Sequence, residues 1–156
     1  MAGKKRLEKY LQEEGIWFAT MSHPVAYTAQ EVAAAQHVPG KQLAKVVLVD
    51  ADGQLLMLVL PASYRVDFPK LKSVLKAKKV RLAREEEFGG TFTDCEVGAM
   101  PPFGSLYDLP VYVDSSLAEV REIVFKVGRH TTSMKVGFAD YKKLVKPEIA
   151  DFASHL

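Results

Sequence analysis

Cysteine is nearly absent: Cys95 is the single one in 156 residues. A lone thiol forms no internal disulfide, suits a reducing compartment and leaves no Cys-rich zinc site. With no base evident near it in sequence, Cys95 reads as an ordinary thiol. Long hydrophobic runs are missing too. No stretch approaches the roughly 18 consecutive apolar residues that cross a bilayer, and Met1-Ala2-Gly3-Lys4-Lys5-Arg6 leads into an amphipathic pattern rather than a signal-peptide core. The expectation is a cytoplasmic protein with no membrane partner. The four histidines, His23, His37, His130 and His155, follow no metal-binding spacing, so neither a metal nor a cofactor is expected. A Gly-x-Ser-x-Gly elbow and a Gly-Lys-Ser/Thr phosphate loop are also lacking, which sets aside the usual serine hydrolases and nucleoside triphosphatases.

At 48% hydrophobic and 26% charged, without repeats, low-complexity tracts or linkers, residues 1–156 are expected to form one domain. Leu7, Tyr10 and Leu11 share a helical face over 4–14, and Gly15 offers a stop. Residues 16–21 read as a strand, after which Pro24 forbids a ladder hydrogen bond. Thr28-Ala29-Gln30-Glu31 has capping-box spacing for a second helix to about Gln36, ended by Pro39-Gly40. Asp52-Gly53 between 46–50 and 55–60 predicts a hairpin at the centre of the sheet. Asp67 is placed to cap a helix over 68–75, with Pro69 tolerated in its first turn. Strands are expected at 79–83 and 111–113, and a second capping box at Ser116-Leu117-Ala118-Glu119. A late hairpin, 123–127 with 133–136, surrounds Gly128-Arg129-His130, and a last helix covers 139–144. Short strands with helices scattered between them predict an α+β domain built on a mixed, barrel-like sheet with surrounding helices.

Three features bear on chemistry. Lys45 interrupts the apolar run Leu43-Ala44-Lys45-Val46-Val47-Leu48-Val49, which reads as a buried strand. An ammonium in such a place sheds its proton, finds an anion, or snorkels to water. Gly98-Ala99-Met100-Pro101-Pro102-Phe103-Gly104 has two prolines between glycines and predicts a rigid loop. Such a loop either is a plain turn or presents the N–H groups of Ala99 and Met100 to an anion. Finally, Arg65 to Arg84 carries eight basic residues against one acid, Asp67. That face would attract a phosphate backbone, although Glu85, Glu86 and Glu87 follow directly and no aromatics interleave for base stacking.

His23-Pro24-Val25-Ala26-Tyr27-Thr28-Ala29-Gln30-Glu31, Pro39-Gly40, the Ala44-Lys45-Val46-Val47 strand, the 98–104 loop and Gly128-Arg129-His130, in that order, resemble the YbaK/EbsC-type aminoacyl-tRNA deacylases and the editing insertion of bacterial prolyl-tRNA synthetases. The likeness covers roughly residues 16–150. It implies hydrolysis, in trans, of the ester joining a wrong amino acid to the 3′ adenosine of a tRNA, with aminoacyl-tRNA as partner and a synthetase as a possible second one. It also implies that Lys45 acts in catalysis together with Gly98, Ala99 and Met100. Tyr27, Thr28, Val46, Pro101, Pro102, His130 and Ser133 would then contact substrate, with His130 as a pocket wall limiting the amino acid to the Ala, Ser, Thr or Cys class. After the lysine, alanine-specific members tend to carry Asn and cysteinyl-tRNA deacylases Thr, whereas this chain has Val46. The alternatives to a deacylase are a non-catalytic module binding an aminoacyl group, nucleotide or synthetase, and Schiff-base chemistry on Lys45.

Overall fold

The computed structural model describes residues 2–24, 39–88, 90–96 and 98–156. The helix expected from Thr28 to Gln36 lies outside the described residues. Helix α1, Ala2–Glu13, places Leu7 and Leu11 on one side, and both are fully buried. Burying each contributes about 2 kcal/mol relative to exposure, so the amphipathic pattern docks the helix. Strand β1, Phe18–Ser22, follows the turn at Gly15, whose φ is 69°.

Strands β2, Ala44–Ala51, and β3, Gln54–Pro61, form the expected hairpin. Asp52 and Gly53 both take positive φ, 50° and 91°, the pattern of a two-residue turn whose twist matches the strands. The Asp50 carboxylate accepts from the Gly53 N–H at 2.9 Å. Strand β4, Tyr64–Val66, leads through Asp67 into α2, Phe68–Leu75, where the Asp67 side chain accepts from the Lys70 N–H. Strand β5, Val80–Leu82, and the short helix α3, Glu85–Phe88, come next, then β6, Val111–Asp114. Strands β7, Glu122–Lys126, and β8, Thr132–Gly137, make the late hairpin. Helix α4, Phe138–Val145, is followed by β9, Glu148–Ala150, and β10, Ala153–His155.

The order β5-β2-β3-β6-β9 defines a mixed five-stranded sheet, and β1-β8-β7 a three-stranded antiparallel one; β10 pairs with β4. A parallel bridge between Leu43 and Val124 joins the two larger sheets. This gives the barrel-like arrangement expected from the sequence. Inside lies the main core, including Leu7, Leu11, Met57, Val59, Val113, Phe103, Phe125, Met134 and Tyr141. The outer face of β2 and β3 packs Val49, Leu56, Leu58 and Leu60 beneath Leu71 of α2 and Phe152.

One local expectation is corrected. The Ser116-to-Glu119 segment is a single 3-10 turn without a side-chain cap, because the Ser116 hydroxyl is hydrogen-bonded to the Asp114 carboxylate instead. The last helix, expected over 139–144, runs from Phe138 to Val145, and β9 and β10 follow it.

Candidate active site

Alternation along β2 decides which way Lys45 points. Ala44, Val46 and Leu48 pack in the main core, whereas Val47 and Val49 belong to the opposite face. Lys45 shares that opposite face, since side chains alternate along a strand. The same alternation on β7 puts Ile123 and Phe125 in the main core and Val124 and Lys126 on the other side. The parallel bridge fixes the alignment: Leu43 is opposite Val124, so two residues further along each chain Lys45 and Lys126 lie on one face. Ser133 is opposite Lys126 in the β7–β8 register and joins them there, fully buried.

Lys45 is half-buried, and desolvation lowers its pKa below the ordinary lysine value. Among the described residues it has no hydrogen-bond or ion-pair partner. An anion brought beside this amine would offset that desolvation. Val46, expected at the substrate, turns the other way into the main core. That placement corrects the expectation that its side chain meets the amino acid.

The 98–104 loop is pinned at both ends. The Glu96 N–H donates to the Gly128 carbonyl and the Gly128 N–H to the Ala99 carbonyl, both at 2.8 Å. These two bonds clasp the loop to the β7–β8 turn. At the other end the Tyr141 hydroxyl donates to the Pro102 carbonyl at 2.6 Å, and Phe103 stacks edge-on against Tyr141 with centroids 5.2 Å apart. Pro101, Pro102 and Met100 are buried. The expectation that Ala99 offers an anion-binding N–H is corrected, because that N–H donates to the Glu96 carbonyl at 3.0 Å. The Met100 N–H has no hydrogen-bond partner among the described residues.

Gly98 has φ of 82°, and a methyl group on it would stand 3.4 Å from Cε1 and 3.8 Å from Nε2 of His130. The loop thus passes close beside the buried His130 ring. On the ring's other side the Lys126 Nζ lies 3.0 Å from Nδ1. A lysine ammonium has donors only, so Nδ1 accepts and the ring proton sits on Nε2. Ser133 is engaged differently: its Oγ is 2.8 Å from Nε2 of His23. The His23 Nδ1 donates to the Pro24 carbonyl at 2.8 Å, so Nε2 accepts the Ser133 proton.

The structure therefore joins Gly98, Ala99 and His130 through the clasp, and places Lys45, Lys126 and Ser133 on one sheet face. Tyr27 and Thr28 lie outside the described residues. Lys126 and His23 were not singled out for the site from sequence. The signal for Lys126 was present, since it interrupts Ile123-Val124-Phe125-Lys126-Val127 just as Lys45 interrupts its own run. Cys95 lies elsewhere, beside Tyr107 and Asp94, and burial pushes its thiol up to about 11. No group of three His, Cys, Asp or Glu side chains that would hold a metal occurs among the described residues.

Residues 23–144 match the family model of the aminoacyl-tRNA editing domain. The chain belongs to that family. It is 28% identical over 153 residues to a multifunctional Ser/Thr-tRNA deacylase, ProXp-y, of Escherichia coli (strain K12), covering 95% of this chain and 91% of the relative. It is also 28% identical to a proline--tRNA ligase of Streptococcus pneumoniae (strain 70585), where 89% of this chain matches 23% of the ligase. A solved structure described as a candidate trans-editing enzyme for prolyl tRNA synthetase superposes with a TM-score of 0.85 at 20% identity, over 99% of this chain and 98% of that one. The fold of an editing domain thus extends over essentially the whole chain.

Proposed function

We propose that the protein is a trans-editing aminoacyl-tRNA deacylase acting on small amino acids of the Ala, Ser, Thr or Cys class, with seryl and threonyl esters foremost. The observation that carries this is the half-buried Lys45, without a side-chain partner among the described residues, on the face it shares with Lys126, whose Nζ reaches the His130 ring beside the Gly98 loop. Membership of the editing family and the name of the Escherichia coli relative support the substrate class.

In this reading a water oxygen attacks the ester carbonyl carbon. The resulting oxyanion is met by the Lys45 ammonium and the Met100 N–H, a pair of fixed donors each worth about 3 kcal/mol at the transition state. Collapse breaks the bond to the ribose oxygen, which takes a proton and leaves as the tRNA hydroxyl, with the free amino acid as second product. Water is the nucleophile because the side chains that might replace it are otherwise disposed. The Ser133 hydroxyl is buried on His23, and the Cys95 thiol is protonated at neutral pH. Gly98, Pro101 and Pro102 hold the loop, and His130 and Ser133 bound the amino-acid side chain.

A panel of tRNAs for proline mischarged with Ala, Ser, Thr and Cys tests the reading, beside correctly charged controls. Turnover of one or more of the small esters, with cognate prolyl-tRNA spared, is expected. Binding of the tRNA without hydrolysis of any ester would replace the deacylase by a non-catalytic module of the same fold.

A further inference from the structure

Trp17 is the single tryptophan of the chain, and 58% of it is exposed. Its neighbours Ile16 and Phe18 both pack against the main core, so alternation turns Trp17 to the opposite side. That side continues the face of Lys45. Met21 pairs with Ser133, and Ser133 with Lys126, which the Leu43–Val124 bridge aligns with Lys45. Trp17 lies four residues back along the chain from Met21, about 20 Å from Lys45 by strand spacing. Lys135 is on the same face, because Met134 and Val136 on either side of it pack in the main core. It stands opposite Ala19 and is therefore a diagonal neighbour of Trp17, within reach of two long side chains. Lys135 forms no ion pair among the described residues, although Glu122 is its diagonal neighbour on β7. Nor does any ring or cation stack on the indole among those residues. The surroundings decide which partner this ring suits. A protein partner anchors on aromatics set in well-packed pockets, whereas the outward positions around Trp17 are Ala19, Lys135, Gly137 and Glu122. A lone ring with an unpaired ammonium beside it fits a partner that carries both flat π-faces and phosphates.

We infer that Trp17 and Lys135 form a platform for the single-stranded 3′ end of the tRNA. The indole stacks on a base a few nucleotides before the terminal adenosine, and the Lys135 ammonium meets an adjoining phosphate. The inference rests on the reading of the Lys45 face as the aminoacyl site. The distance from Lys45 puts this contact beyond the adenosine that carries the ester, so the platform holds the strand whichever amino acid is attached. Stacking on an aromatic ring tolerates any base. The platform therefore adds binding common to all tRNAs and leaves the choice of amino acid to the pocket.

With one tryptophan in the chain, intrinsic fluorescence reports on this spot alone. The wild type is titrated with an uncharged RNA hairpin ending in a single-stranded CCA tail, and with the same hairpin cut flush. Quenching by the tailed hairpin, and little by the flush one, is expected. Binding of the tailed hairpin, followed by a dye on the RNA, should weaken at least about tenfold in Trp17→Ala and by less in Trp17→Phe. Circular dichroism is the control for folding. Lys135→Gln should make the dependence of log Kd on log salt shallower by about 0.7. In hydrolysis of a mischarged tRNA, Trp17→Ala should raise KM rather than lower kcat. Emission that ignores the tailed hairpin, or unchanged binding by Trp17→Ala, would overturn the proposal and leave the indole to a protein partner. Equal quenching by the flush hairpin would overturn it in favour of a duplex contact. Tail-dependent quenching in a protein that hydrolyses no ester would overturn the deacylase reading and leave the platform standing, whereas turnover without any response of Trp17 would do the reverse.

Discussion

Glycine at 98 answers two separate demands. Its φ of 82° lies where a side chain costs about 1 kcal/mol, and a methyl group there would rest in van der Waals contact with His130, 3.4 Å from Cε1. Gly98→Ala should therefore lower stability by about that amount and, because relieving the φ strain shifts the loop, lower kcat/KM at least about tenfold. Urea unfolding and deacylation kinetics on one preparation separate the two effects, and a variant with full activity would detach the loop from the site. Both ends of this contact were visible in the chain as unusual residues. Their contact was not, because it depends on the Glu96, Gly128 and Ala99 backbone bonds across some thirty residues. Lys45 was legible because a charge interrupts an apolar run. Lys126 carries the identical signal, and only the Leu43–Val124 bridge reveals that the two lysines share a face. The direction of Val46 follows from the same alternation, once it is known which side of β2 is the main core.

Elements with strong local chemistry were readable without the structure. Asp67 with Pro69 specified α2 from Phe68 to Leu75, and Asp52-Gly53 specified the β2–β3 turn. Strands β4, β9 and β10 were not readable. Each is three residues long and exists through a distant partner: β10 on β4 and β9 on β6. Asp114 is what holds that region. Buried, it accepts from the N–H groups of Phe152 and Ala153, both at 2.9 Å, and from Ser116. Asp114→Ala leaves buried donors without an acceptor and should cost about 3 kcal/mol in urea unfolding; a loss within experimental error would show that β10 is held by its apolar contacts alone. On the other flank Glu87 takes a two-pronged contact from Arg81 at 2.7 and 2.8 Å. That guanidinium holds its carboxyl at about 2, aided by the Arg84 N–H. A depressed carboxylate pKa gives stability present above the unfolded value near 4.5 and lost as pH falls towards 2. Replacing Glu87 by Gln should flatten the stability profile in that window, and an unaltered acid limb would show the pair to be energetically neutral.

Across the whole molecule the net charge is only +2, so attraction to a tRNA depends on where the cations lie. Within the basic stretch from Arg65 to Arg84, Arg81 is matched by Glu87 and Asp50, and Lys70 by Asp151. Exposed Lys72, Lys76, Lys78 and Lys79 are left without an ion-pair partner among the described residues. If roughly four phosphates are engaged, affinity should fall about fiftyfold between about 50 and 200 mM salt. Replacing those four lysines by Gln should flatten that slope, and a flat response in the wild type would exclude this surface from docking. The fold class and the family could be recognised from ordered motifs, while the site required the meeting of two sheets that no local pattern records. The most direct test is single-turnover hydrolysis of mischarged seryl-tRNA by the wild type and by Lys45→Ala, with circular dichroism of both. The account predicts a fall of at least about a hundredfold with the fold unchanged; full activity in Lys45→Ala would contradict it.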